Sequence, residues 1–469
     1  MYWLRRSCAG IGSYFPYHLS PVSRCYNVAM VSPSLVPNEW TRFAPPPRPL
    51  SGADKWNVFL SYRSLNRAWV LNLYDILRQH GYSVFIDQCV LRAGDELTLR
   101  LQEALTTSQA GVLIWSATTG DSDWVAREYQ VLDRMATTKA GFRFVPVRLD
   151  SSEPPPFVAN RIFLDFSSYP DGPNGGELLR LLHALVGLPL SADAAAFAVK
   201  QDEAATEAST KIGSAVGNGD AERLVKLFDQ GGLVWQTSSS LGCQAIEGLT
   251  KLGRNDDAIA LLQKLMDRFP KAIRPKQLYA LALARRAQGT DLSDAQEILG
   301  ELYQQGERDP ETLGIYARTW MDRFSKSGDV RELKRSRGLY AEAFERAPDD
   351  YYTGINAAAK SVFLGTEDDL KKASEYAARV QTIVGTEPRA SNYWMTATVG
   401  EVFLIQKNYS EAARLYDAAV TMAPTERGNH LTTWTQSCRL MSKLQPTVQE
   451  RAMIRQVFSD LPDCDQLPR

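Results

Sequence analysis

The chain has 469 residues, of which 44% are hydrophobic and 23% are charged, and its formal net charge is −1. That length exceeds what one ordinary hydrophobic core occupies, so two or three globular domains are expected. The balanced charge and the lack of a long basic run exclude an electrostatic case for nucleic acid as a partner. No run of about 18 apolar residues occurs, so the sequence predicts no membrane span and no membrane partner.

Residues 1–53 are predicted to form a disordered leader. They are rich in aromatic residues, serine and proline, they contain Arg5, Arg6 and Arg24, and they have no acidic residue before Glu39. This composition loosely resembles an organellar transit peptide. The absence of a clean amphipathic stripe favours the disordered leader, or a start codon assigned too early with Met30 as the true start.

Residues 54–188 alternate between short apolar runs and helix-like segments. The apolar runs are residues 58–60, 84–86, 111–115, 144–147 and 162–164. The helix-like segments are residues 66–79, 97–107, 122–137 and 176–186. Strands that alternate with helices indicate a parallel sheet covered on both faces. We therefore predict a five-stranded, flavodoxin-like α/β domain.

Three sequence blocks carry a family resemblance. They are Trp56–Arg63 (WNVFLSYR), Ser83–Asp87 (SVFID) and Ser122–Glu128 (SDWVARE). In order and spacing they closely resemble a TIR domain. The last block is similar to the S/D-W-x-x-x-E motif of TIR domains that cleave NAD, whereas adaptor TIR domains commonly lack its acidic residue.

The resemblance implies that Glu128 is the catalytic residue. Ligands of open α/β sheets bind beyond the carboxyl ends of the strands, and Glu128 lies one to two turns into the helix that follows the third strand. Nicotinamide is already a good leaving group, so cleavage proceeds through an oxocarbenium-like transition state that one carboxylate can stabilise. NAD is thus expected as a substrate, and no cofactor is predicted.

Several further residues are assigned to substrate binding by the same resemblance. Arg63 matches the arginine of the F-x-S-Y-R box and is expected to pair with the pyrophosphate, or to form a surface salt bridge. Tyr62 and Phe85 are candidates to stack on nicotinamide or adenine, although a core position is favoured for Phe85. Trp124 either packs on the ribose or anchors its helix, and Ser116 opens the third loop.

Residues 88–96 resemble the BB loop of the family. Gly94 would supply a tight turn, and Ala93 replaces a frequent proline. In the family this loop gates the NAD pocket and contacts a neighbouring TIR domain, which implies self-association and activation by clustering. The candidate loop residues are Asp87, Leu91, Gly94 and Asp95.

Residues 189–462 are predicted to form an all-α solenoid, followed by a tail over residues 463–469. The spacing of one repeat matches the tetratricopeptide repeat, and weaker units precede it. That repeat comprises Gly400, Phe403, Ala412, Tyr416, Ala419 and Pro424. Residues 311–357 are similar to the TRAF-binding region of apoptosis signal-regulating kinases and their bacterial relatives, which implies an interaction module.

Four aromatic residues of the solenoid have two interpretations. They line a concave surface for a protein, peptide or small-ligand trigger, or they belong to the core between repeats, which is favoured. They are Tyr351, Tyr352, Tyr393 and Trp394.

Two functions remain open from sequence alone. The leading hypothesis is a TIR NAD hydrolase that clusters through a helical-repeat sensor in bacterial anti-phage defence or stress-induced cell death. The alternative is a non-catalytic TIR scaffold for homotypic assemblies. Under the first hypothesis the product is linear or cyclic ADP-ribose.

The cysteines are far apart and form no C-x-x-C pair, and the four histidines are scattered. This spacing predicts no metal site. Sparse cysteine usage is typical of a reducing compartment, so we expect free thiols and a cytoplasmic protein. The six positions are Cys8, Cys25, Cys89, Cys243, Cys438 and Cys464.

Overall fold

The computed structural model describes most of the chain from residue 37 onward, and for residues 97–100 and 123–129 the description concerns the backbone. The described ranges are 37–62, 66–86, 97–117, 123–153, 161–170, 172–389, 392–424 and 426–467.

A five-stranded parallel sheet forms the centre of the α/β domain, in the order β2-β1-β3-β4-β5. The strands are β1 (Trp56–Ser61), β2 (Val84–Phe85), β3 (Ser108–Trp115), β4 (Arg143–Arg148) and β5 (Leu164–Asp165). The chain runs outward from β1 to β2 and then crosses to β3, so a crevice opens at the carboxyl ends of β1 and β3. The predicted fold class is confirmed.

Helices cover both faces of this sheet, and each of their ends lies within one residue of the prediction. They are α2 (Arg67–Gln79), α3 (Leu97–Thr106), α4 (Asp123–Thr138) and α5 (Gly175–Val186). Side chains of successive strand residues point to opposite faces. Val58 and Leu60 join the core under α2 and α5, whereas Phe59 joins a separate cluster with Leu132 of α4. A Cβ atom on Gly111 would lie 2.0 Å from the Leu132 side chain, so α4 packs closely only over a glycine.

The predicted disordered leader is wrong for residues 37–53. Helix α1 (Asn38–Phe43) buries Trp40 completely, and its ring makes an edge contact with Phe197 at 5.7 Å. Arg48 then donates hydrogen bonds to the carbonyls of Gly141 and Gln109, at 2.7 and 2.8 Å. Burial of a large aromatic ring and these bonds fix the segment on the folded domain.

The described residues beyond β5 contain helices and no strand, which confirms the predicted all-α region. Its helices are α6 (Ala192–Gly217), α7 (Ala221–Gln230), α8 (Val234–Thr237), α9 (Ser240–Lys251), α10 (Asn255–Arg268), α11 (Ile273–Arg286), α12 (Asp291–Gln304), α13 (Pro310–Ser327), α14 (Val330–Arg346), α15 (Tyr351–Leu364), α16 (Glu367–Val384), α17 (Tyr393–Ile405), α18 (Tyr409–Met422), α19 (Arg427–Leu444) and α20 (Val448–Val457), with a 3₁₀ turn at Cys464–Gln466.

Small residues let the paired helices of this region approach each other. A Cβ atom on Gly400 of α17 would lie 2.9 Å from the Tyr416 ring of α18. Ala412 and Ala419 of α18 are also buried. The residues that define the predicted repeat are therefore those that interlock its two helices.

The cysteine prediction is only partly correct. Cys243 is free and buried, as expected, but Cys438 of α19 and Cys464 form a disulfide across 26 residues. The bond joins the predicted tail to the last repeat, because the chain after α20 folds back along α19. A hydrogen bond forms a second link there, because the indole N–H of Trp434 in α19 donates to the carbonyl of Pro462 at 2.8 Å.

Candidate active site

Residues at the carboxyl ends of β1 and β3 meet at the predicted crevice. The Ser116 hydroxyl and the Asn66 side-chain amide exchange hydrogen bonds of 2.9 and 3.1 Å. Ser116 is 5% exposed, so its hydroxyl fixes the two loops rather than facing solvent. Asn66 was not singled out by sequence, since its partner lies 50 residues away.

The aromatic candidates separate into a core residue and a crevice residue. Phe85 is 2% exposed and stacks on Phe59 at 5.2 Å, with Trp56 against its edge at 5.5 Å. Of the two interpretations of Phe85, the structure therefore agrees with the favoured core position, because protein rings already cover its side chain. Tyr62 follows the last residue of β1 and is half-buried against the core, at the edge where the substrate was expected.

The helix that carries the proposed catalytic residue begins at this same edge. Helix α4 starts at Asp123, after β3 has ended at Trp115, and Glu128 lies in its second turn. The backbone therefore places Glu128 and Trp124 at the carboxyl end of the sheet. Arg63 lies outside the described residues and stays a prediction, as do the BB-loop candidates Asp87, Leu91, Gly94 and Asp95.

An ionised carboxylate borders the crevice on the side of β4, and sequence reasoning did not identify it. Asp150 accepts the Ala117 N–H at 2.7 Å and the Ser152 N–H at 3.0 Å. Partial burial would raise the pKa of Asp150, but its hydrogen bonds with Ser152 and Ala117 outweigh that effect and lower it. Asp150 is thus an anchor for the loop after β3, and it is poorly suited to act as a general acid.

The described residues contain no cluster of three or more histidine, cysteine, aspartate or glutamate side chains that could hold a metal ion. Within the same part of the chain, no helix is both long and apolar enough to cross a membrane.

The four solenoid aromatics do not share one environment. Tyr393 is 7% exposed and belongs to the core, as favoured, but Tyr352 and Trp394 are 49% and 45% exposed. Tyr351 is half-buried. Tyr352 and Trp394 are therefore surface residues of α15 and α17 and remain available to a partner.

A separate cavity of about 420 Å³ lies in the helical region between α6 and α7, away from the crevice. Its lining includes the apolar residues Trp235 and Leu227 and the basic residues Lys211, Arg223 and Lys226. Lys211 is paired with Glu207 at 2.8 Å.

Comparison with known proteins agrees with this division of the chain. Residues 58–181 match the family model described as TIR domain, and residues 254–361 match the model described as Tetratricopeptide Repeats-Sensor. The molecule is thus a doubly wound α/β domain fused to a helical repeat array. More specifically, the chain carries a TIR domain followed by a helical region that matches a tetratricopeptide-repeat family model.

The relatives resemble the TIR domain alone. The probable 2' cyclic ADP-D-ribose synthase TcpB of Brucella melitensis is 29% identical over 87 residues, which cover 18% of this chain and 35% of TcpB. The probable 2' cyclic ADP-D-ribose synthase BdTIR of Brachypodium distachyon is 32% identical over 83 residues, covering 17% of this chain and 37% of BdTIR. The match therefore spans about a third of the length of these relatives.

Solved structures resemble the helical region more distantly. The tetratricopeptide-repeat protein TTC0263 of Thermus thermophilus is 15% identical, with a TM-score of 0.34. The match covers 41% of this chain and 96% of TTC0263.

Proposed function

We propose that the TIR domain cleaves the bond between nicotinamide and ribose in NAD⁺, with Glu128 as the catalytic residue. The observation that carries the proposal is the position of Glu128 in the second turn of α4, at the carboxyl edge of a sheet that matches the TIR family model. The relatives named as cyclic ADP-ribose synthases support the same chemistry, because that reaction also begins by releasing nicotinamide.

The proposed reaction breaks one bond before it forms another. Nicotinamide leaves ribose C1′ with the bonding electron pair and so becomes neutral. The carboxylate of Glu128 stabilises the positive charge on the ribose as it develops. Water then attacks C1′ and loses a proton, which yields linear ADP-ribose. Attack by a nucleophile of the same molecule would instead yield a cyclic product.

The helical region is proposed to be the sensor that controls this activity. A trigger would bind the repeats and cluster the TIR domains, whose contacts would complete the active sites. The match to a repeat family described as a sensor supports this role. We place the protein in the cytoplasm, where NAD⁺ is available, and in a bacterial response that depletes NAD⁺ during infection or stress.

The test is NAD⁺ turnover by the full chain, alone and under crowding that promotes clustering. Glu128→Gln should lower the release of nicotinamide by about 100-fold or more, the scale of losing a transition-state charge interaction. Asp133→Asn is the matched control, because Asp133 lies on the same helix and is paired at the surface with Arg161. Chromatography of the products separates linear from cyclic ADP-ribose.

Two outcomes would contradict the proposal. Turnover that is unchanged in Glu128→Gln would remove Glu128 from the mechanism. If the wild-type chain cleaves no NAD⁺ under any clustering condition, the TIR domain acts as a non-catalytic scaffold.

A further inference from the structure

Helix α2 of the TIR domain is tied to the helical region by polar contacts along its whole length. At its start, Arg67 pairs with Glu307. In its middle, the Asp75 carboxylate accepts hydrogen bonds from the N–H groups of Lys271 and Ala272, at 2.8 and 2.9 Å. The two domains are therefore joined by a continuous contact surface as well as by the chain between them.

The contact through Asp75 holds the backbone that leads into a helix of the other domain. Helix α11 begins after Ala272, and its N-cap residue provides no side-chain hydrogen bond. The first N–H groups of a helix have no partner within the helix. Asp75 accepts from the N-cap residue Ala272, whose N–H also bonds the Phe269 carbonyl at 3.2 Å, and from Lys271 before it, so the TIR domain fixes the backbone that leads into α11.

The pair of Arg67 and Glu307 is deeply buried. Their side chains are 7% and 3% exposed, and they lie 240 residues apart in the chain. Arg67 Nη1 is buried without a hydrogen-bond partner among the described residues. Burial raises the pKa of Glu307 to about 7, against the opposing effect of Arg67. Moving both charges out of water costs free energy, so the buried pair is weak evidence of a gain in stability. A functional role would explain its presence.

The position of Arg67 suggests that explanation. Arg67 is the first residue of α2 and directly follows Asn66, whose amide holds the Ser116 hydroxyl at the crevice. Glu307 lies in the turn between α12 and α13, inside the part of the chain that matches the sensor family. A short path of contacts thus leads from the sensor through Arg67 and Asn66 to the end of β3.

We propose that Glu307 is a positioning residue that sets the geometry of the Asn66–Ser116 pair at the carboxyl edge of the TIR sheet through Arg67. A change in the turn between α12 and α13 would then reach the candidate active site without any contact between the trigger and the TIR domain. The catalytic meaning of this coupling rests on the proposed function, but the coupling itself is structural and does not require NAD⁺.

Hydrogen–deuterium exchange of the full chain tests the coupling without a substrate. Glu307→Gln should raise the exchange rates of peptides that contain residues 66–67 and 116–117 by at least about fivefold, since coupling between sites typically changes equilibria 5- to 150-fold. Glu311→Gln is the control, because Glu311 also pairs with an arginine, Arg274, but is half exposed. It should leave both peptides unchanged.

Breaking the same pair from its other side should also loosen the surroundings of Glu307, because Arg67 is its direct partner. Arg67→Met should raise exchange in residues 302–309 of the helical region. The charge-swapped variant Arg67→Glu/Glu307→Arg should restore protection at both places, and it supplies the test if a single variant loses its fold.

The proposal is overturned if Glu307→Gln loosens residues 302–309 but leaves residues 66–67 and 116–117 as protected as in the wild type. Glu307 would then be a local structural residue. Because exchange is read without NAD⁺, a failure of this coupling is distinguishable from a lack of NAD⁺ cleavage.

Discussion

Asp75 is a buried acidic residue that accepts hydrogen bonds, and burying its charged carboxylate lowers the free energy of unfolding. Burial raises its pKa to about 6, although the N–H groups of Lys271 and Ala272 oppose the shift. The folded-state pKa thus lies above the usual value of a free aspartate. The loss of unfolding free energy that the ionised Asp75 carboxylate causes is therefore absent below about pH 4. It grows as the pH rises and is complete above about pH 6.

Asp75→Asn should consequently stabilise the chain at neutral pH, because the amide oxygen still accepts the two hydrogen bonds but carries no charge. We expect the free energy of unfolding to rise at pH 7 by up to about 3 kcal/mol. Urea denaturation at pH 7 and at pH 4.5 would measure the gain, which should shrink at the lower pH. A variant less stable than the wild type at pH 7 would contradict the assignment.

At the scale of residues, local patterns predict only local facts. The resemblance makes Glu128 and Trp124 candidates because the motif is contiguous, and the apolar context of Phe85 already favoured the core position that the structure shows. Asn66 and Asp150 could not be predicted as site residues, because their roles depend on partners in other loops. Ser116 was predicted to bind substrate, and only the fold shows that Asn66 occupies its hydroxyl.

At the scale of elements, the contact between α17 and α18 leaves no space for a side chain at position 400. Gly400→Ala should lower the free energy of unfolding by about 1–3 kcal/mol, the usual penalty of overpacking, because the new methyl group meets the Tyr416 ring. Thermal or urea unfolding of the full chain measures the loss.

Gly338→Ala is the opposite case on an exposed face of α14. Beyond the adjoining residues and the backbone of its own helix, no atom lies within 4 Å of the added Cβ, so the better helix propensity of alanine should stabilise the chain by about 0.5–1 kcal/mol. If the two substitutions changed the free energy of unfolding equally, helix propensity and not the interlocking of the helices would determine the stability of the repeat.

The helices and strands of the TIR domain could be predicted because the spacing of apolar residues and the secondary-structure propensity agree in each segment. Apolar runs gave the strands, and helical periodicity gave α2 to α5 to within one residue. Helix α1 could not be found in this way, since its short sequence has no periodicity of its own. Its order comes from Phe197 and His183, which belong to distant helices.

At the scale of the whole molecule, Trp40 acts as a contact between domains. Its ring meets His80, which caps α2, at 6.2 Å, and Phe197 of α6 at 5.7 Å. Trp40→Ala should lower the free energy of unfolding by about 3–5 kcal/mol and increase hydrogen exchange in both α2 and α6. Leu50→Ala is the control, because Leu50 is 42% exposed in the same segment. A loss of protection in α6 alone would show that Trp40 does not join the two domains.

The arrangement of the domains could not be predicted from the sequence. The apolar pattern of α2 predicts which face is buried, but it does not distinguish burial against the sheet from burial against the repeats. One hydrophobic core in fact runs from Val58 and Leu60 through α2 to Ala272 in the helical region. A linker between independent domains would have produced two cores, and the sequence is compatible with either.

The one-sided packing of the repeats has a consequence for how copies of the chain could assemble. The repeats cover the α2 side of the sheet, whereas the described hydrophobic residues under α3 and α4 all belong to the TIR domain. A neighbouring copy can thus approach the layer that carries Glu128 without displacing the helical region. In a row of such copies, every helical region would project from the same flank. Under the proposed function, one extended trigger would then bridge several of these regions and align their TIR domains in register.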